Sequence, residues 1–477
     1  MEVNTVHKDI KVRLISLMAA ATIAAGFAAI PQWTVGASGG VKLDSKHFPD
    51  TNFRKLVAEE FDINKDGTLS TKEISKAEIF RYDGEMTVIK DLKGIEYLTS
   101  LFSVNIYDGQ FKSLDLSKNT KLERISISNT DLDSIELGNL KNLTTLELFQ
   151  TNLASLDVSR FTKLEELVAR GRRMTSIDIS HNKALKKLDI IIFSEASKIK
   201  YLDISNNPNL EEIYFRVRDL DTITVASGQK FKSAPWTGNP KWYSSDKSVV
   251  KTGAVKYNTI MGSDAKQLTF EAGKAGNAVL TEDWSSWKET CKVKVLYKDV
   301  TRRSDFWFEP TYYLSDKDVV KGYDKQTKFK PANDCTRAQM VTFLWRLKGS
   351  PTPKIKTTAF KDIKKTDYFY NAVLWAVDKG ITTGVSKTKF SPKGVCTRAQ
   401  TVTFLWRMAG TPEPQSAKNK FKDIKAKDYF YKPVLWASEK KIVAGYKDGT
   451  FKPQGKCLRR QMVTFLYKYD KYVNGRG

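Results

Sequence analysis

A 21-residue period constrains this chain more than any other feature. Leu114, Ile135, Leu156 and Ile177 stand 21 residues apart; Leu202 follows after 25 and Ile223 after a further 21. Within each unit the pattern L-x-x-L-x-L recurs, as Leu122/Ile125/Ile127, Leu143/Leu146/Leu148 and Leu210/Ile213/Phe215. One such unit cannot bury its apolar ridge alone, whereas stacked units can. The period with strand-like alternation therefore predicts a solenoid over about 99–225. A four-residue insertion after Ile190 breaks the period and predicts a bulge in the fifth turn.

Strand register also predicts which side chains face solvent. One column is Asn105, Ser126, Glu147, Val168, Asp189 and Tyr214; the next is Tyr107, Ser128, Phe149, Arg170, Ile191 and Arg216. Tyr107, Phe149, Ile191 and Tyr214, with Arg170 and Arg216 beside them, are more apolar than a passive face needs. They suggest a protein-binding surface, unless the insertion or a neighbouring domain covers them. The array resembles the leucine-rich repeats of bacterial surface proteins, internalin-like adhesins among them. That resemblance implies an α/β leucine-rich-repeat solenoid preceded by a short helical cap.

Residues 38–98 fit such a cap and carry one EF-hand-like loop. Asp62, Asn64, Asp66, Gly67, Thr68, Ser70 and Glu73 fall at loop positions 1, 3, 5, 6, 7, 9 and 12. The early oxygens converge on one cation, Gly67 permits the sharp turn, Thr68 offers its carbonyl and Glu73 binds bidentately. Three carboxylates with Lys65 and Lys72 nearby predict a weak, structural calcium site suited to millimolar external calcium. The alternative is a calcium-like turn held by its own hydrogen bonds.

Residues 226–297 alternate in short runs between turn residues, from Trp242-Tyr243-Ser244-Ser245-Asp246 to Cys291-Lys292-Val293-Lys294-Val295. This predicts a β-sandwich, and it resembles the bacterial Ig-like spacer domains of surface proteins.

From 298 onward the chain repeats itself in three copies, at about 298–350, 354–411 and 415–474. Cys335-Thr-Arg-Ala-Gln-Met-Val-Thr-Phe-Leu-Trp-Arg346 recurs at Cys396–Arg407 and, less closely, at Cys457–Lys468. Phe360-Lys-Asp-Ile363 matches Phe421-Lys-Asp-Ile424, and Asp367-Tyr-Phe-Tyr370 matches Asp428-Tyr-Phe-Tyr431. Thr336/Gln339 and Thr397/Gln400 have capping-box spacing at the start of an apolar helix; Leu458 forfeits that cap in copy three. Arg337, Arg398 and Arg459 fall at the first helical position, where a cation opposes the helix dipole. A bound anion held by the guanidinium and the helix-terminal N–H groups would explain them; so would pairing with a neighbouring carboxylate. Trp345, Trp406 and Tyr467 recur at helical spacing and predict core packing; stacking on sugar faces is the alternative.

These repeats resemble three S-layer homology modules, which are α-helical. The resemblance implies grooves that bind pyruvylated secondary wall polysaccharide, with Arg337, Arg398 and Arg459 facing its carboxylates. It places the matching turns at Gly322, Gly384 and Gly445 beside the same grooves. The family motif commonly ends in Glu, where this chain has Gln.

Charge agrees with an anionic partner. The net charge is +25, and residues 298–477 hold 38 Lys and Arg against 16 Asp and Glu, a net of +22. Lys8, Lys11 and Arg13 precede the apolar run Leu14–Ile30, and small residues lead up to Ala37, the layout of a cleaved signal peptide over 1–37. The alternative is an uncleaved anchor. Export makes nucleic acid an unexpected partner and, after cleavage, leaves no membrane segment. Cys335, Cys396 and Cys457 lie 61 residues apart at one equivalent position, so they and Cys291 are expected as buried free thiols. No nucleophile or zinc motif appears, and no enzymatic activity is expected. The expected whole is multidomain: a secreted protein attached to the wall of a Gram-positive-type bacterium, its solenoid binding a host or neighbouring-cell protein. The alternative is a structural envelope protein associated with the surface layer.

Overall fold

The computed structural model describes residues 40–84, 88–191, 199–215, 217–237, 241–260, 263–416 and 418–476. The expected leader, 1–37, lies outside the described residues, as does Arg216.

The helix Thr51–Phe61 begins where the Asp50 side chain accepts from the amides of Asn52 and Phe53, and it buries Phe53, Val57 and Phe61 at i, i+4, i+8. A second helix, Thr71–Lys76, starts at a Ser70/Glu73 capping box. Strand Ile79–Tyr82 then pairs in parallel with Ser103–Tyr107. The solenoid sheet thus begins inside the region expected as a separate cap, because Phe80 and Tyr82 bury the same face as the repeats.

The 21-residue period becomes parallel strand pairing. Ser103, Arg124, Thr145, Glu166, Lys187 and Glu212 stand in one row, each opposite the next. Pairing continues in register from Lys187 to Glu212, and the bulge expected after Ile190 falls on 192–198, outside the described residues. Buried asparagines tie the turns. The Asn119 amide donates to the carbonyls of Ile95 and Leu98. Asn182 donates to Val158 and Phe161, and Asn207 to Ile179 and Asn182. Each lies three residues before its repeat's first leucine, a signal the leucine pattern hid.

The solenoid does not stop where the next region starts. Lys230–Thr237 pairs in parallel with Glu212–Tyr214 and carries the antiparallel hairpin Val250–Ile260/Ser263–Ala272, making one ten-stranded sheet. Thr222–Ala226, which contains the last periodic Ile223, pairs with Tyr201–Asp203 on one side and with Lys288–Leu296 on the other. The boundary expected at 225/226 therefore runs through a shared strand. The two sheets enclose Phe231 stacked on Phe270 at 4.7 Å, with Leu280, Val293 and Val295 buried in the same core as the repeats.

The C-terminal third is three helix pairs in a ring. The helix Arg337–Leu347 packs on Tyr370–Asp378 of the next copy, Arg398–Met408 on Tyr431–Glu439, and Arg459–Tyr472 back on Phe308–Asp316 of the first. At its centre the Cys396 amide donates to the Cys335 carbonyl (2.8 Å), Cys457 to Cys396 (2.8 Å) and Cys335 to Cys457 (2.9 Å). All four cysteines are buried free thiols, as expected. Burial raises the Cys396 thiol to about 11 and Cys457 to about 12, so both stay protonated. Among the described residues, no helix is long and apolar enough to cross a membrane.

Candidate functional site

The repeated arginines sit at the seams between copies. Thr336 Oγ1 accepts from the Gln339 amide (3.3 Å) while Gln339 Oε1 accepts from the Thr336 amide (3.2 Å); Thr397 and Gln400 repeat the arrangement. Leu458 has no acceptor, and only the Gln461 half of the box remains (3.1 Å). The cap therefore explains Thr and Gln, as the spacing suggests.

The helix-terminal N–H groups do not face an anion. The amides of Arg337 and Ala338 donate to the carbonyls of Gly394 and Pro392, those of Arg398 and Ala399 to Gly455 and Pro453, and those of Arg459 and Arg460 to Asn333 and Pro331. The loop of an adjoining copy thus caps each helix, which corrects the expectation of free amides at these sites. Only the guanidinium remains to recognise an anion.

Each guanidinium is also more enclosed than a solvent-lined groove would suggest. Arg337 is 4% exposed, Arg398 4% and Arg459 1%. Nε donates to the carbonyl of Phe390 (2.9 Å), Phe451 (2.8 Å) and Phe329 (2.9 Å) respectively, always on the adjoining copy. The same phenyl rings lie under the guanidinium carbons at 5.0, 4.7 and 4.3 Å. Among the described residues none of the three arginines forms an ion pair, so the carboxylate-partner alternative does not hold here. Burial pushes all three below the usual guanidinium range, and the charges of Asp362, Asp423 and Asp299 offset it only in part. Arg337 Nη2 is fully buried and has no hydrogen-bond partner among the described residues.

Two of the three glycine turns, at Gly322 and Gly445, lie beside these seams. Arg459 Nη2 donates to the Lys321 carbonyl (3.0 Å), next to Gly322, and Arg398 lies 4.9 Å over the Tyr446 ring, next to Gly445. A Cβ on Gly322, Gly384 or Gly445 would come within 2.4–2.5 Å of the rings of Tyr297, Phe360 and Phe421. Gly384 and Gly445 also take φ of +80° and +78°; Gly322 does not, so close approach is the reason the three share.

Three carboxylates belong to the site that the sequence reading passed over. Asp299, Asp362 and Asp423 each clamp two successive amides, Phe329/Lys330, Phe390/Ser391 and Phe451/Lys452, at 2.7–2.8 Å. They hold the loop whose carbonyl receives Arg Nε. Tyr297-Lys298-Asp299-Val300 is the first copy of Phe360-Lys-Asp-Ile363, concealed by its Tyr and Val. Trp345 and Trp406 pack half-buried, donating Nε1 to the carbonyls of Pro351 and Pro412 (2.8 Å each), and Tyr467 is buried against Glu309 (2.6 Å).

In the EF-hand-like loop the oxygens face the loop's own amides. Asp62 accepts from Asp66 and Gly67, Asn64 from Asp66, and Asp66 from Thr68. Glu73 takes the Ile63 amide on Oε1 (2.9 Å) and the Ser70 hydroxyl (2.7 Å) and amide (2.9 Å) on Oε2. These bonds, Ser70 foremost, hold its carboxyl below the usual range. The donor chemistry suits a hard cation, and a carboxylate oxygen that accepts an amide keeps a further lone pair. Among the described residues no three His, Cys, Asp or Glu side chains converge as metal ligands.

On the solenoid face, Tyr107, Phe149 and Tyr214 are half-buried. Arg170 is held by a bidentate ion pair with the buried Asp189 and lies 5.1 Å over Phe149. Ile191 is buried, not solvent-facing: its amide turns back to Asp189 Oδ1 (3.2 Å), ending the strand before that position joins the column.

The S-layer homology domain family matches residues 296–341, 359–402 and 420–463, one match in each helix-pair copy. The chain thus carries three S-layer homology domains, and it is a cell-wall-attached protein of the bacterial surface. It is 34% identical to an endoglucanase of Bacillus sp. (strain KSM-635) over 24% of this chain and 12% of that protein. It is 32% identical to an S-layer protein of Bacillus thuringiensis subsp. finitimus over 24% of this chain and 14% of that protein. It is 29% identical to a cellulosome-anchoring protein of Acetivibrio thermocellus over 31% of this chain and 34% of that protein. The chain spans no more than about a third of these relatives' lengths.

Proposed function

We propose that the three S-layer homology domains anchor this chain by binding an anionic, pyruvylated secondary cell-wall polysaccharide of a Gram-positive-type envelope. The observation that carries this is the buried guanidinium of Arg337: a buried cation costs several kcal/mol unless an anion pairs with it, and among the described residues its Nη2 has no hydrogen-bond partner and no carboxylate forms an ion pair with it. The net charge of +22 over 298–477 draws a polyanion toward it. Residues 1–37 act as the export signal, the sandwich over 226–297 is an Ig-like spacer, and the EF-hand-like loop takes calcium weakly. The solenoid presents Tyr107, Phe149 and Tyr214 to a protein on a host or neighbouring cell, and the chain has no catalytic role of its own.

The test is sedimentation of the full chain with wall sacculi, before and after removal of the polysaccharide. Binding that needs the polysaccharide and survives high salt is expected; binding that ignores the polysaccharide and fades with salt would reduce the anchor to a diffuse charge patch. The same material carrying Tyr107→Ala with Phe149→Ala keeps wall binding and loses cell adhesion. Unchanged adhesion, or ordered two-dimensional arrays from the purified chain, favours a structural envelope role instead.

A further inference from the structure

The hairpin that closes the sandwich ends in two tryptophans. Gly276–Asp283 and Lys288–Leu296 pair antiparallel, and the turn between them is Trp284-Ser285-Ser286-Trp287. Turns favour small polar residues, so two indoles exceed what this one needs. The Trp284 amide donates to the Trp287 carbonyl (3.0 Å), and the two rings lie 17° from parallel with centroids 5.6 Å apart. Stacking fixes the Trp287 ring without covering it, since the residue stays 53% exposed. A tryptophan that serves packing alone is enclosed, as Trp436 is in the helical repeats at 2%.

Asp283 sets the shape of the tip. Its Oδ1 accepts from the Ser285 amide (2.9 Å), and its Oδ2 meets Lys288 Nζ (3.1 Å) and accepts from the Tyr243 hydroxyl (3.4 Å). Lys241, Asp283 and Lys288 form one row across three strands, and Tyr243, Thr281 and Thr290 form the next row on the same face. Tyr243 is itself 45% exposed. An apolar plate thus adjoins a strip of hydroxyl, ammonium and carboxylate groups. That strip complements a ligand with apolar faces and polar edges, which describes a sugar ring.

Charge narrows the choice of ligand. Around the tip Lys241 and Lys288 stand against Glu282, Asp283 and Glu289. No net positive field draws an anionic lipid surface or an anionic wall polymer here, in contrast to the helical repeats. We propose that this tip is a second glycan site, in which an uncharged polysaccharide stacks a sugar ring on Trp287 and hydrogen-bonds Tyr243 and Lys288. Asp283 is a positioning residue. The site goes beyond the anchoring role and uses none of the residues assigned to it.

The experiment titrates the full chain by calorimetry with oligosaccharides of glucose and of N-acetylglucosamine, and with phosphatidylglycerol vesicles. Binding of at least one oligosaccharide is expected. Trp287→Ala should weaken it by about tenfold or more and leave the thermal midpoint unchanged, because the ring is half exposed. Trp287→Tyr, which keeps an aromatic plate, should retain affinity within about threefold, and Tyr243→Phe should lose about threefold. Trp287→Ala should also sediment with intact sacculi like the parent, which separates this site from the anchor. The proposal is overturned if neither oligosaccharide binds, if Trp287→Ala binds them like the parent, or if only the vesicles bind through Trp287, which would make the tip a membrane contact. Loss of sacculus binding in Trp287→Ala would overturn it too, by making the tip part of the anchor.

Discussion

An arginine at the first turn of a helix opposes the dipole, and here it is tolerated because the dipole is already answered. Gly394, Gly455 and Asn333 give their carbonyls to the amides that would otherwise carry the positive end. The guanidinium then folds onto the same loop, whose shape Asp362, Asp423 or Asp299 maintains. The third copy shows what each residue adds. Leu458 already has extended N-cap geometry, with φ of −74° and ψ of 155°, but no side-chain acceptor. Leu458→Thr should therefore complete the box without moving the backbone and stabilise the C-terminal repeats by about 1 kcal/mol. A rise in urea midpoint with unchanged slope would show it; no rise would mean that the Asn333 and Pro331 carbonyls already satisfy that helix end.

At the scale of elements, the helix–loop–helix over Thr51–Lys76 is held by bonds that resemble cation coordination without needing a cation. Glu73 does double duty, closing the Ser70 capping box and accepting the Ile63 amide across the loop. Three carboxylates with Lys65 and Lys72 nearby make a weak site, so we expect a dissociation constant of about 10⁻⁴–10⁻³ M. Millimolar calcium should then raise the thermal midpoint of the parent but not of Asp62→Ala. Calorimetry detecting no calcium-dependent shift would leave the loop as a self-bonded turn that only borrows the spacing.

For the whole molecule, the repeats are joined to the last solenoid turns and to the sandwich. Arg303 pairs with Asp203 of the solenoid (2.7 Å), and the Asn206 side chain donates to the Thr301 carbonyl (3.3 Å). Asp316 accepts from Asn277 (3.2 Å) and Lys294 (3.3 Å) of the sandwich, and the Ala275 amide donates to Gln326 (2.9 Å). The helical repeats thus meet the solenoid and the sandwich at one polar joint. The ion pairs are partly exposed and each contributes at most about 1 kcal/mol, so the joint should yield before either side. Asp203→Ala with Asp316→Ala is expected to split the thermal transition and to speed proteolysis near 298–303; a single unsplit transition at the parent midpoint would mean that apolar contacts alone carry the joint.

Periodicity was legible because it is a local record of burial. Residues 21 apart that must face the same core announce parallel strands, and Thr, Gln and apolar residues at helical spacing announce a capped helix. From these the sequence by itself determined the solenoid, three like helical copies and free thiols at equivalent positions. It did not determine which copy receives each arginine, since Arg337 and Phe390, or Arg459 and Phe329, meet only through the closed ring. Nor did it reveal that Ile191 turns inward or that Thr222–Ala226 serves two neighbours at once. Tertiary structure alone decided those, because a buried charge or a shared strand depends on partners brought together over long separations, and a repeating pattern carries no record of which repeat its neighbour will be.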